Sequence, residues 1–239
     1  MRSRHAHAGF GMAHGISGPL ALLSTAKLRG ITVPGQDNAI HTICTWLDHW
    51  RQENDRAVWW PNFIELPQLE AHPSQVQPTP ARPSWCYGAP GIARAHQLAG
   101  AALTDESRVH LAHRALLCVV ADLRQRTLIT EPNVCHGWAG VKATALACGD
   151  TAKELGLHHD AAALQQASSQ LPTGPDSRHL LTGPWQRPTT RPKTRTAPGH
   201  QSGLLEGVAG SALADSTQHI RWGGCLLLER TTPRPEGGN

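Results

Sequence analysis

The chain has 239 residues and a formal net charge of +4, and this length is sufficient for one domain with a core of its own. Its lysines and arginines are scattered, apart from a cluster within residues 187–195, so the sequence lacks the basic stripe typical of nucleic-acid-binding proteins. Six widely spaced cysteines argue against a disulfide framework, and no apolar run reaches the length of about 18 residues that a membrane-spanning helix needs. The apolar segment at residues 19–23 is too short for a secretory leader, so we expect a cytoplasmic protein.

Four copies of one short pattern, X-Gly-x-x-Gly, determine the predicted architecture. Each copy has a polar residue before two glycines that stand three residues apart, and a mostly Ala/Leu segment follows. The first glycines of the four copies are Gly15, Gly88, Gly137 and Gly207. Because paired glycines permit close backbone approach at a helix entry, we predict a helix after each copy, with all four entries on one side of the fold.

Amphipathic segments lie between the glycine-led ones. In chain order, the predicted helices cover residues 20–28, 37–51, 92–103, 106–123, 141–155 and 211–214. The second and fourth of these carry apolar residues at helical spacing, so glycine-led and amphipathic helices alternate. This alternation predicts an all-α fold, an α/α toroid in which an outer ring of helices covers a closely packed inner ring.

A proline- and arginine-rich stretch at residues 165–201 interrupts this pattern. It contains Pro172, Pro175, Pro184, Pro188, Pro192 and Pro198, which would break a helix, and its low apolar content leaves little to bury. We therefore predict an irregular insertion within a single domain that spans residues 1–239.

A candidate metal site comprises Cys86, Cys135 and His136, which stand at the polar position of the repeat or one residue before it. If the copies are arranged around a ring, these side chains converge at one mouth of the toroid. Two thiolates and one imidazole suit Zn²⁺, and three protein ligands leave a fourth tetrahedral position open. The alternative is that the cysteines are small apolar core residues, but their place in glycine-rich loops favours the metal site.

His14 occupies the position in the first copy that His136 occupies in the third. We therefore expect His14 to face the same cavity, although a structural histidine with satisfied hydrogen bonds is the alternative.

The repeat segments resemble the lanthionine synthetase C-like (LanC-like) proteins, a family of zinc-dependent peptide cyclases with an α/α-barrel fold. The matching segments are residues 11–20, 82–91, 135–140 and 203–210, in the family's order. The resemblance implies that Cys86, Cys135 and His136 are zinc ligands. It also implies that His14 is the catalytic histidine and that Arg82 and Tyr87 line the active site.

The resemblance further implies an activity, the addition of peptide cysteine thiolates to dehydroalanine or dehydrobutyrine to form thioether rings. The implied partners are a dehydrated precursor peptide, a dehydratase and an exporter. Family members carry several helical repeats before the His-Gly-x-x-Gly segment, including an aspartate that assists catalysis, whereas this sequence has only ten residues before Gly11. We therefore expect an incomplete ring and weak or absent activity.

Two other functions compete with an active cyclase. One is a truncated, inactive relative that still binds zinc or a peptide. The other is a carbohydrate enzyme with a toroid fold, which would need a pair of carboxylates in the cavity. Only Glu206 offers a carboxylate at the polar position of the repeat, so the carbohydrate enzyme is disfavoured.

Overall fold

The structure is a computed structural model that describes residues 7–172, 205–207, 210 and 226. Its helices are α1 (Ser17–Leu28), α2 (Gln36–Trp50), α3 (Pro73–Val76), α4 (Ala89–Leu103), α5 (Glu106–Ala121), α6 (Leu123–Thr127), α7 (Trp138–Glu154) and α8 (His158–Ser169). Its strands are β1 (His7–Gly9), β2 (Gln52–Asn54), β3 (Ala57–Trp59) and β4 (Phe63–Glu65). No helix within the described ranges is long and apolar enough to cross a membrane.

The helices form two layers. In the inner layer, α4 lies between α1 and α7, and each of these three helices follows one of the first three glycine pairs. In the outer layer, α2 packs on α1, α5 on α4, and α8 on both α7 and α5. The predicted all-α class and the alternation of inner and outer helices are therefore confirmed.

Helix α4 is buried along nearly all of its length, and a helix that is covered on every face carries small and apolar residues around most of its circumference. Its buried polar side chains include Arg94 and Gln97, which form hydrogen bonds within the core. A tight connection joins it to its outer partner α5: Thr104 takes the left-handed conformation at φ 58°, and Asp105 caps α5 by accepting the Arg108 N–H at 3.1 Å.

In the first three copies the paired glycines are needed because the loop of the repeat folds back over the start of its own helix. A Cβ atom at Gly15 would lie 2.5 Å from the backbone nitrogen of Gly11, four residues earlier, and one at Gly18 would lie 2.6 Å from the Met12 carbonyl oxygen, six residues earlier. The same overlaps, with residues four and six positions earlier, arise at Gly88 and Gly91 and at Gly137 and Gly140. Any side chain at these positions would push the loop off its helix.

Backbone hydrogen bonds connect the loops of the four copies in sequence order. Ala13 N–H in the first copy donates to the Cys86 carbonyl oxygen at 3.1 Å, and Cys86 N–H donates to that of Cys135 at 3.1 Å. Cys135 N–H in turn donates to the Leu205 carbonyl oxygen, just before the fourth copy, at 2.9 Å. The four loops therefore lie on one side of the fold, as the repeat predicts.

Aromatic packing fixes the first loop. Phe10 is fully buried, stacks on Trp46 with ring centroids 4.4 Å apart and meets Trp50 edge-on. Because β1 leads directly into Phe10, this contact with α2 sets the position of the loop that carries His14.

Two features differ from the sequence prediction. Two small antiparallel sheets, β1–β4 and β2–β3, were not predicted, because three-residue strands are too short to show a periodic pattern. Helix α8 also continues to Ser169, so residues 165–169 are helical, contrary to the predicted irregular stretch. The reason is that its buried stripe, which includes Leu164 and Ala167, runs on until just before the first proline. The remainder of that stretch from residue 173, and the helix predicted at 211–214, lie outside the described residues.

Candidate metal centre and active-site cleft

Cys86, Cys135 and His136 converge as the sequence predicts. Their ligand atoms, two Sγ atoms and one imidazole nitrogen, all lie within 4.8 Å of one another. Cys86 belongs to the loop before α4, and the other two belong to the loop before α7. A backbone hydrogen bond between Cys86 and Cys135 joins these two loops. Because the two cysteines hold the same position in their copies, this pairing brings their thiols together.

Each loop is turned by a buried polar residue that stands four positions before its first glycine. In the loop before α4, Ser84 Oγ accepts the N–H groups of Tyr87 at 3.2 Å and Gly88 at 3.0 Å. In the loop before α7, Asn133 Oδ1 accepts the N–H of His136 at 2.9 Å. Side-chain acceptors of this kind bind nearby backbone N–H groups and thereby stabilise turns.

The donor set fits a zinc ion. Tetrahedral zinc with bonds of about 2.3 Å to sulfur and about 2.0–2.1 Å to nitrogen needs ligand atoms separated by roughly 3.5–3.8 Å, which small side-chain rotations achieve from the observed separations. Burial and the adjacent Cys86 thiol raise the pKa of Cys135 to about 12; Glu206 adds to this rise and Arg82 opposes it. Two thiolates at this spacing therefore need a cation between them.

The three predicted catalytic residues line one cleft. His14, Arg82 and Tyr87 border a cavity of about 330 Å³, and the rings of His14 and Tyr87 lie 5.9 Å apart. Ser84 also lines this cleft, and its Oγ lies 3.6 Å from Cys86 Sγ, so the cleft lies next to the candidate metal site. All six site residues predicted from the sequence thus lie in one region.

Sequence reasoning missed the opposite wall of this cleft and the two loop-turning residues. His7 on β1, Asn62 just before β4, and Phe63 at the start of β4 also line the cleft. These residues carry no repeat signature, and only the β1–β4 pairing brings them together. Ser84 and Asn133 could have been found, because both stand two positions before a candidate cysteine ligand.

A second group of metal-ligating side chains, His110, His113 and Asp160, lies between α5 and α8. Gln97 argues against a metal there. Its Oε1 accepts from Arg94, so its Nε2 donates to His113 Nε2 at 2.8 Å and to the Cys148 carbonyl oxygen at 2.8 Å.

The Gln97 contact places the proton of His113 on Nδ1, which donates to Asp160 Oδ2 at 2.7 Å. A protonated nitrogen has no lone pair for a metal. This group is therefore a hydrogen-bond network that ties α4, α5, α7 and α8 together.

A groove of about 1190 Å³ along α5 is larger than the cleft, but the charges that line it are largely paired. Arg108 binds Asp48 through Nη2 and Oδ2 at 2.8 Å, and Arg114 binds Glu53 at 2.6 Å. The smaller cleft instead brings together an imidazole, a guanidinium and a phenol, those of His14, Arg82 and Tyr87.

Comparison with known proteins identifies the family of this chain. Residues 1–218 match the family described as lanthionine synthetase C-like protein. The chain belongs to this family. A curated relative of this LanC-like chain is the nisin biosynthesis protein NisC of Lactococcus lactis subsp. lactis, which is 26% identical over 132 residues, or 55% of this chain and 31% of the relative.

A solved structure named nisin cyclase shares the fold of the LanC-like chain. It aligns with a TM-score of 0.64 and 21% identity, and the match covers 93% of this chain and 50% of the nisin cyclase chain. The LanC-like chain thus spans half of that structure, and its match to NisC covers about a third of that relative.

Proposed function

We propose that this LanC-like chain is a zinc-dependent peptide cyclase. It would join cysteine thiols of a dehydrated precursor peptide to dehydroalanine or dehydrobutyrine residues of the same peptide, forming thioether rings. The observation that carries the proposal is the convergence of Cys86, Cys135 and His136 beside a cleft that holds His14, Arg82 and Tyr87. Membership of the family and the name of the related structure, nisin cyclase, support it.

Cys86, Cys135 and His136 would hold the zinc ion and leave one tetrahedral position open. When bound, zinc would lower the pKa of a peptide thiol in that position, so that the nucleophilic thiolate is available near neutral pH.

Arg82 and His14 would carry out the rest of the chemistry. The thiolate sulfur forms a bond to the β-carbon of the dehydro residue, and the π electrons move to the carbonyl oxygen to give an enolate. The Arg82 guanidinium would stabilise the enolate oxygen, and His14 would deliver a proton to the α-carbon. The thiol loses one proton and the α-carbon gains one, so the addition is redox-neutral and needs no redox cofactor.

The cleft walls would orient the peptide and the acid. Tyr87, 5.9 Å from His14 ring to ring, limits the rotation of the exposed imidazole. Phe63, which is 53% exposed on the opposite wall, offers an apolar contact for the peptide. The proposal includes a partner that supplies the substrate, a dehydratase that removes water from serine and threonine side chains.

Metal content tests the observation on which the proposal depends. We expect near-stoichiometric zinc in the purified chain and loss of that zinc in Cys86→Ala and Cys135→Ala. Cys118→Ala is the matched control, because Cys118 is a free cysteine on α5, away from the two loops. A folded chain that takes up no zinc from solution would rule out the proposed metal centre.

A further inference from the structure

We propose that Ser84 and Asn133 are matched positioning residues of the metal centre, each holding one metal ligand through the same kind of turn. This inference rests on the proposed function, since it assumes that Cys86 and His136 bind a metal. It adds two residues that act on the ligands and that the repeat places at equivalent positions.

The equivalence of the two residues is geometric as well as sequential. Each is buried, each stands four residues before the first glycine of its copy, and each accepts the backbone N–H three residues ahead with its side chain. Their backbone carbonyl oxygens also match. That of Ser84 accepts from Gly88 and Gly91, and that of Asn133 accepts from Gly137 and Gly140.

The hydrogen bonds to these two carbonyl oxygens remain when the side chain is changed. They hold each loop onto its helix without help from the side chain of Ser84 or Asn133. Truncation of either side chain should therefore leave the loop in place and remove mainly the contacts that the side chain makes.

Ser84 is placed to donate a hydrogen bond to the Cys86 thiolate. The Cys86 thiol donates to Ser84 Oγ at 3.6 Å, and the same hydroxyl accepts the N–H groups of Tyr87 and Gly88. A serine hydroxyl also carries one hydrogen of its own that it can donate. When Cys86 is a thiolate it cannot donate, so the Ser84 hydrogen is directed to the sulfur and stabilises its negative charge.

Asn133 is placed to hold the main chain of His136. Its Oδ1 accepts the His136 backbone N–H at 2.9 Å, which leaves its Nδ2 3.4 Å from Nε2 of the ring. Because Nδ2 can only donate, a hydrogen bond there would occupy the lone pair that Nε2 needs for a metal. Asn133 therefore acts on the ligand through its turn, which fixes the backbone at His136 and so the direction from which the imidazole approaches the two sulfurs.

Residues that orient metal ligands contribute strongly to affinity, and their loss typically weakens metal binding by about 10–100-fold. We therefore expect Ser84→Ala and Asn133→Ala to lower metal affinity by roughly that factor. Ser84→Thr should restore affinity because it keeps the hydroxyl. Asn133→Ser should restore part of it, because a serine hydroxyl accepts the backbone N–H three residues ahead in the Ser84 turn.

The experiment titrates the metal-free full chain with Co²⁺, follows the absorption band of thiolate-to-cobalt charge transfer, and then displaces Co²⁺ with Zn²⁺. The matched control is Asn54→Ala, since Asn54 Oδ1 accepts the N–H groups of Arg56 and Ala57 in the β2–β3 turn at 2.9 Å and contacts no candidate ligand. We expect Ser84→Ala to shift the charge-transfer band and weaken binding, and Asn54→Ala to do neither.

Thermal unfolding of the metal-free variants distinguishes an effect on the position of the metal ligands from an effect on the stability of the fold. If Ser84→Ala and Asn133→Ala bind Co²⁺ with wild-type affinity and an unshifted band, and lose only melting temperature as Asn54→Ala does, the inference is overturned while the metal centre stands. If the wild-type chain itself shows no charge-transfer band, the proposed function fails and takes this inference with it.

Discussion

The backbone N–H of Cys86 donates to the carbonyl oxygen of Cys135 at 3.1 Å, so the two candidate thiolate ligands are joined through their main chains before any metal is considered. The bond is one of three that connect the four repeat loops in order. The position of the thiols therefore depends on the loops, and the loops depend on the glycines beneath them.

We predict that Gly140→Ala destabilises the chain and weakens metal binding. The added Cβ would overlap the carbonyl oxygen of Val134, the residue before Cys135, and overpacking of this kind costs about 1–3 kcal/mol or more in unfolding free energy. Denaturant unfolding and zinc competition measure the two effects.

Gly149→Ala is the control in the same helix. A Cβ there would make ordinary contacts at 3.5 Å, and replacing a mid-helix glycine by alanine stabilises by about 0.5–1 kcal/mol. Equal effects of the two substitutions would contradict our account of the paired glycines.

Phe10→Ala should cost about 3–5 kcal/mol of unfolding free energy. Phe10 is fully buried and stacks on Trp46, so its removal leaves a cavity between β1 and α2. Because the same contact positions the loop that carries His14, cyclase activity should fall in step with stability, and Phe10→Leu should recover part of both. A loss below about 1 kcal/mol would show that β1 is held by other contacts.

Acid should destabilise the chain through His96. Burial, aided by the Arg108 guanidinium, lowers the pKa of His96 to about 3, whereas the unfolded value is about 6.5. The folded state therefore excludes a proton that the unfolded state binds, and this contribution is complete above pH 6.5 and lost as the pH falls towards 3.

The expected loss from this histidine is about 3 kcal/mol between pH 7 and pH 4. The comparison is between unfolding free energies of the wild type and His96→Gln, which retains an acceptor for Arg108 Nη1. If both proteins show the same slope over this range, His96 is not the group responsible.

His14→Ala should reduce the proposed cyclase activity to the spontaneous rate, because it removes the proposed general acid, and it should leave the zinc content unchanged. His159→Ala is the control, because the His159 side chain is 98% exposed on α8. Loss of zinc together with activity in His14→Ala would mean that His14 acts on the metal ligands and not on the enolate.

The repeat pattern carries most of what could be predicted from the sequence. Because one unit recurs with the same glycines and polar position, the sequence predicts both the alternating helices and the convergence of Cys86 with Cys135. The Gln97–His113–Asp160 network could not be predicted in this way, since its members lie on three helices and only packing brings them together. Asn62 and Phe63 were missed because a three-residue strand leaves no periodic signal.

The most direct test of the central claim is a cyclisation assay on the full chain. The protein, loaded with zinc, is incubated with a dehydrated peptide that contains cysteine, unreacted thiols are then alkylated, and the adducts are counted by mass. Our account predicts ring formation above the spontaneous rate, even if that rate is low, with loss of the excess on chelation of zinc and in Cys135→Ala. A zinc-loaded, folded chain that forms rings no faster than buffer alone would contradict it.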